Sequence, residues 1–176
     1  MRKEIKALNL PTVRQAEGNG LFMEELTDNQ AMRLLKEAVK ARKKAQYPAV
    51  PDYAIVTPKY QDRTANGLTQ CIIDFINSQD NCHAERISNE GVMRKDGNGR
   101  AFRATSSMQN GTADISATMW GRSVKIEVKI GNDRQSEAQR EYQRQIENAR
   151  GYYVTARDFK GFLEWFNLKM SRRNEG

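Results

Sequence analysis

The chain has 176 residues, 38% of them hydrophobic, and 29 Lys and Arg against 22 Asp and Glu give a formal charge of +7. That length suits one domain with an appendage, and the lack of any run of about 18 apolar residues excludes a transmembrane helix. Two cysteines, Cys71 and Cys82, make no disulfide framework, and with the single His83 they offer no zinc-ligand spacing.

A pI near 9.5 suits an acidic partner, nucleic acid first. The first residues, MRKEIKALNLPTV, carry no apolar stretch of the kind that starts a secretory signal, so a cytoplasmic location with reduced cysteines is expected.

Residues 28–45 predict one helix, with Asp28 as the N-cap and Met32, Leu35, Ala38 and Val39 recurring at helical spacing. Its end is basic (Lys36, Lys40, Arg42, Lys43, Lys44), which complements the helix dipole and equally suits an arm on nucleic-acid phosphates. Residues 47–63 hold three of the four prolines, Pro48, Pro51 and Pro58, and predict an extended linker. The expected division is an N-terminal extension over 1–46, a linker over 47–63, a domain over 64–170 and a basic tail over 171–176. Residues 1–63 carry 12 Lys and Arg against 8 Asp and Glu, an excess that suits DNA or a protein partner.

Within the domain, residues 65–78 place Leu68, Ile72, Phe75 and Ile76 on one helical face. Residues 82–88 predict a short strand. Residues 89–111, rich in Gly, Asn and Ser with four cations, predict a long mobile loop. Two strands around Trp120-Gly121 form the next hairpin. Ser136–Ala149 predicts a charged helix, Gly151–Thr155 a strand, and Asp158–Met170 a helix with Phe159, Phe162, Leu163 and Phe166 on one stripe. A strand–helix–strand step requires a right-handed crossover and a parallel pair, so an α/β sandwich around a small mixed sheet is expected.

The hairpin carries the chemistry. Val124, Ile126, Val128 and Ile130 point one way, while Lys125, Glu127 and Lys129 point the other, on the face shared by Asp114, Ser116 and Thr118. If Trp120-Gly121 are the loop residues, Asp114 lies opposite Glu127; if the loop is Gly121-Arg122, Asp114 lies opposite Lys129. Opposed carboxylates repel. A divalent cation reverses that sign, and an adjacent ammonium steadies attacking water or charge developing on phosphorus. Asp114, Glu127 and Lys129 thus fit a metal-dependent phosphodiesterase, and they equally fit a solvated strand face of mixed charge.

The order Gly111-Thr112-Ala113-Asp114, then Glu127-Val128-Lys129, then Ser136-x-x-Gln139 and Gly151-Tyr152-Tyr153-Val154 resembles the PD-(D/E)xK nuclease superfamily, most closely its VRR-NUC branch. That branch includes stand-alone phage and bacterial proteins akin to Holliday-junction resolvases, and the likeness covers roughly residues 64–168. It implies a restriction-endonuclease-like α-β-β-β-α-β core with a mixed sheet, here with an N-terminal helical extension. Asp114 and Glu127 would hold Mg²⁺ or Mn²⁺ with the Val128 backbone carbonyl, Lys129 would be the catalytic lysine, and Gln139 the helix glutamine. The segment Arg86-Ile87-Ser88-Asn89-Glu90-Gly91 resembles the branch's R-x-N-x-G stretch, which puts Arg86 and Asn89 near substrate. Ala113 replaces the signature proline. Asn66 and Gln70 stand where many members carry a first-helix glutamate, with Asp74 a turn further on.

Ser136 and Gln139 also make a capping box, a role compatible with catalysis. Arg140 and Arg144 read as partners of Glu137, Glu141 and Glu147 on a solvated face. Arg94, Lys95, Arg100 and Arg103 are the better DNA-backbone candidates. His83 reads as an ordinary strand residue, and Trp120 as packing at a hairpin tip. The expectation is a Mg²⁺- or Mn²⁺-dependent DNA endonuclease acting on branched or duplex DNA, off the membrane, as a homodimer if it resolves junctions. The alternative is a nucleic-acid-binding module of the same fold without effective catalysis.

Overall fold

Thr27, not Asp28, caps the first helix, α1 (Asp28–Gln46). Its hydroxyl accepts from the Gln30 backbone N–H at 3.3 Å, while Gln30 Oε1 accepts from the Thr27 N–H at 2.7 Å. This reciprocal pair satisfies two groups that a helix start leaves open, and Asp28 falls into the first turn, where the dipole favours an acid. The computed structural model describes residues 26–87, 93–95, 97–103 and 109–170.

Ala31, Leu35, Ala38 and Val39 of α1 are buried in the same core as α2 (Ala65–Ser78) and α4 (Phe159–Met170). The helix read as an N-terminal extension is therefore one wall of the main core. Between α1 and α2 the chain turns at residues 48–50, where the Val50 N–H donates to the Tyr47 carbonyl at 3.1 Å, takes a 3₁₀ turn at Asp52–Ala54, and then runs without regular structure to a bend at residues 63–64.

The strands are β1 (Cys82–Arg86), β2 (Met93–Lys95), β3 (Ala101–Arg103), β4 (Ile115–Met119), β5 (Arg122–Val128) and β6 (Tyr152–Ala156). Four of them form a mixed sheet in the order β1-β4-β5-β6, antiparallel at the first two pairings and parallel at β5–β6. Helix α3 (Glu137–Asn148) is the crossover that a parallel pair requires. The architecture is α/β, as expected.

One expectation is corrected. Residues 89–111 are not wholly a loop, because β2 and β3 pair as a separate antiparallel ribbon around a turn containing Gly97-Asn98-Gly99. Two short runs flanking a Gly-Asn-Gly turn are a hairpin signal that overall polarity obscures.

The sheet has two unlike faces. Ile115, Ala117, Met119, Val124, Ile126 and Val128 join the core with α1, α2 and α4. Phe75 stands at its centre, with ring centroids 5.7 Å from Phe159, 6.3 Å from Phe162 and 5.1 Å from Phe166, all edge-on. The opposite face is covered by α3 through a small cluster of Ala113, Tyr142, Tyr153 and Ile146, and it carries the polar alternates of β4, β5 and β6. No described helix is long and apolar enough to cross a membrane.

Because Phe75 is fully buried among three rings, Phe75→Ala is expected to cost about 3–5 kcal/mol. Urea unfolding should show this as a lower midpoint at an unchanged slope.

Candidate active site

The site is set by a turn. Trp120 (φ +47°) and Gly121 (φ +78°) are both left-handed, the signature of a type I′ hairpin loop. Glycine takes that conformation without strain; Trp120 takes it with its ring 5.6 Å from that of Phe166. Met119 therefore pairs with Arg122, and Ile115 with Ile126. Of the two registers open to the sequence, this one carries Asp114 opposite Glu127, one position past the last pair.

Asp114 ties three strands together at that end. Its carbonyl accepts from the Ile87 N–H at 2.8 Å, and its Oδ2 accepts from the Val128 N–H at 2.8 Å. Glu127 is only 2% exposed. Its Oε1 receives the Lys129 ammonium at 3.1 Å and the Gln139 side-chain amide, while its Oε2 is buried with no hydrogen-bond partner among the described residues. Leaving a buried carboxylate oxygen unpaired is costly, and such a group calls for an explanation.

Lys129 is 7% exposed and shared, because Asp133 Oδ2 lies 3.4 Å from the same ammonium. One ammonium is thus shared by two carboxylates, Glu127 and Asp133, while a third, Asp114, bears on Glu127, an excess of negative charge. Burial, then the Asp114 charge, push the Glu127 carboxyl up to about 7 against the pull of Lys129. For Lys129, burial opposes the charged form, but the hydrogen bonds and charges of Glu127 and Asp133 outweigh it and raise its pKa.

Gln139 closes the capping box and also reaches Glu127. Its Oε1 accepts from the Ser136 N–H at 2.9 Å and its own N–H donates to Ser136 Oγ at 3.2 Å, closing the capping box. The side-chain amide is left pointing at Glu127. Gly111 makes this approach feasible: its φ is +80°, and a Cβ there would stand 2.4 Å from the Ala138 carbonyl group and 2.7 Å from the Gln139 nitrogen. The glycine of Gly-Thr-Ala-Asp is what lets the chain press against the first turn of α3 on its way to Asp114.

The remaining predicted residues divide. Arg86 lies across from Ile115 on β1 and donates to Asn66 Oδ1 at 2.9 Å, so the first-helix position that lacks an acid instead anchors Arg86 beside Asp114. Asp74 does not join this group; it accepts from the Tyr60 hydroxyl at 2.8 Å, in a groove lined by Val39, Arg42 and Asn77. Arg94, Lys95 and Arg103 lie on the β2–β3 ribbon and Arg100 in its turn. Asn89 lies outside the described residues. Val128 is buried, and it is its N–H that the structure ties to Asp114.

Two residues escaped sequence reasoning. Asp133 has a local signal, its i,i+4 spacing from Lys129. Arg157 has none: its guanidinium donates to the carbonyls of Gly131 and Asp133, both at 3.0 Å, across 26 and 24 residues of chain. It holds the loop that presents Asp133 to Lys129.

Asp114, Glu127 and the Val128 carbonyl are hard oxygen donors of the kind Mg²⁺ takes alongside water and phosphate. The orphaned Glu127 oxygen and the surplus negative charge fit a bound cation. No group of three or more His, Cys, Asp or Glu suited to a metal occurs among the described residues. No known protein family's sequence profile matches the chain, and no curated protein matches it.

The raised Glu127 pKa ties stability to pH. Its folded pKa, about 7, lies above the ordinary 4.5, so between those values the folded state holds a proton that the unfolded state releases. The group's stability contribution is full below about 4.5 and lost as pH rises through about 7. In EDTA, the unfolding free energy of wild type minus that of Glu127→Gln is expected to fall by roughly 3 kcal/mol across that window. Paired urea titrations from acid to mild alkali check it; a flat difference would contradict the reading.

Proposed function

We propose that the chain is a Mg²⁺- or Mn²⁺-dependent endodeoxyribonuclease with a restriction-endonuclease-like core. The observation that carries the proposal is the meeting of Asp114, Glu127 and Lys129 at the end of β5, where one oxygen of a buried carboxylate has no partner among the described residues. The order α2-β1-β4-β5-α3-β6, with β5 and β6 parallel, supports it by matching the core that the motif resemblance implies.

In this reading Asp114 and Glu127, with the Val128 carbonyl, hold the cation, which when bound supplies a Lewis acid for the phosphoryl oxygens. The chain's own groups do the rest. Lys129 donates hydrogen bonds to the attacking water and to charge developing on phosphorus. Water attacks in line and the 3′-oxygen leaves, giving 5′-phosphate and 3′-hydroxyl ends. Gln139 fixes the Glu127 carboxylate, so that Oε2 stays turned away from Lys129. Asp133 keeps the ammonium from collapsing wholly onto Glu127. Arg86 and the ribbon cations Arg94, Lys95, Arg100 and Arg103, with Asn89, meet the DNA backbone, which carries no sequence information. Branched DNA is the leading substrate and cleavage across a junction requires a homodimer; the reaction belongs in the cytoplasm.

A second reading has a specific observation behind it. Asn66 replaces the first-helix acid and is spent on Arg86, while Asp74 is held by Tyr60. A site short of one ligand would leave a DNA-binding module with little catalysis.

Labelled four-way junction, flap, single-stranded and linear duplex DNA, each with Mn²⁺, Mg²⁺ or EDTA, separate the two. The nuclease reading expects metal-dependent cutting that falls about 100-fold or more in Glu127→Ala and Lys129→Ala. No cutting by wild type, with salt-sensitive binding that ignores Glu127→Ala, favours the binding module.

A further inference from the structure

Five large hydrophobic residues are exposed among those described, and three of them lie within ten residues of one another: Tyr47 at 54%, Tyr53 at 90% and Val56 at 74%. They stand on the segment that follows α1. That segment is not slack. Pro48 and Pro51 restrict it, Lys43 Nζ donates to the Val56 carbonyl at 2.7 Å, and Lys44 Nζ donates to the Val50 carbonyl at 2.7 Å and pairs with Asp52 at 3.0 Å. Two lysines of the last turn of α1 thus stitch the segment down while its apolar side chains remain in water. Apolar groups grouped in solvent on a fixed support mark an interaction surface, and the ordering cost of binding is already met by the fold.

The charges beside it select the partner. Of the cations of α1, Arg33 pairs with Glu37, Arg42 with Asp80, and Lys43 and Lys44 are occupied as above. Lys36 and Lys40 are exposed, one turn apart, and make no ion pair within 4.0 Å among the described residues. Lys40 lines a shallow depression with Glu37, Lys44 and Asp52, the two acids being paired with Arg33 and Lys44, and Tyr53 follows Asp52 in the chain. Exposed rings beside unspent cations match a nucleic-acid strand, with rings for base faces and ammonium groups for phosphates. Duplex DNA does not offer base faces for stacking, so the fit is to an unpaired strand.

We propose that Tyr47 and Tyr53, with Lys36 and Lys40, form a binding platform for single-stranded nucleic acid, separate from the carboxylate site. The platform deepens the nuclease reading by assigning it a substrate with an unpaired arm.

The test is fluorescence anisotropy in EDTA with a labelled oligothymidine of about 16 nucleotides and with a blunt duplex, using the full chain. Tyr47→Ala/Tyr53→Ala and Lys36→Glu/Lys40→Glu should each weaken single-strand binding about ten-fold or more, and Tyr47→Phe/Tyr53→Phe should restore it, because stacking needs the ring and not the hydroxyl. The tyrosine variant should bind duplex as wild type does, with an unchanged circular-dichroism spectrum. Wild-type affinity in the Ala variant, or equal loss on duplex, overturns the platform. Displacement of the oligonucleotide by polyglutamate at equal charge overturns it in favour of an acidic protein partner. A wild-type dimer that the Ala variant breaks, seen by sedimentation, overturns it in favour of a second copy. The platform stands apart from the nuclease reading: ring-dependent binding without any metal-dependent cutting sinks the nuclease alone, and cutting with ring-independent binding sinks the platform alone.

Discussion

Side chains alternate along a strand, so a one-residue slip between β4 and β5 would exchange the faces of an entire strand. The type I′ turn at Trp120-Gly121 removes that freedom. With Met119 opposite Arg122, the apolar residues of both strands meet α1, α2 and α4, and the charged residues meet α3. The same register brings Asp114 to the Val128 N–H and leaves Glu127 beneath the start of α3. Core and candidate site are therefore one decision, taken at a two-residue loop and reinforced by the contact of Trp120 with Phe166.

What that register gathers is electrostatically unbalanced. One ammonium serves Glu127 and Asp133 with Asp114 close by, and one Glu127 oxygen has no partner among the described residues. Burial raises the cost of every unmatched charge, so the arrangement is unfavourable as a mere strand face. Solvated Glu and Lys alternating on an open strand would show exposed side chains, yet Glu127 and Lys129 are nearly inaccessible. The supports are correspondingly many: the capping box that orients Gln139, the glycine that admits α3, and the Arg157 clamp on the Asp133 loop. These supports hold the carboxylate geometry whether or not the chain cuts DNA.

The far side of the molecule follows a different logic. Helix α1 is amphipathic in the ordinary way, with its apolar stripe in the core, but its last turn spends two lysines holding down a proline-bracketed segment. Basic residues that composition alone suggests for nucleic acid thus divide into those that tie the fold together and those left for a partner. Arg42, Lys43 and Lys44 belong to the first set; Lys36 and Lys40 belong to the second.

Local pattern alone determined most element positions: α2, α3, β6 and α4 each match their expected spans to within a residue, because period and capping act over a few residues. It also singled out Asp114, Glu127 and Lys129, since alternation is local too, while Gln139 is a site candidate through the motif resemblance and a capping residue by local pattern. It missed the β2–β3 ribbon, whose strands are too short to show a period, and placed the first cap one residue late at Asp28 instead of Thr27. Only the tertiary structure chose between the two hairpin registers, put α1 into the main core, turned Asp74 toward Tyr60 instead of the site, and recruited Arg157 across more than twenty residues of chain. Those outcomes depend on which surfaces meet when helices and sheet pack, a choice made by burial and charge between residues far apart in sequence.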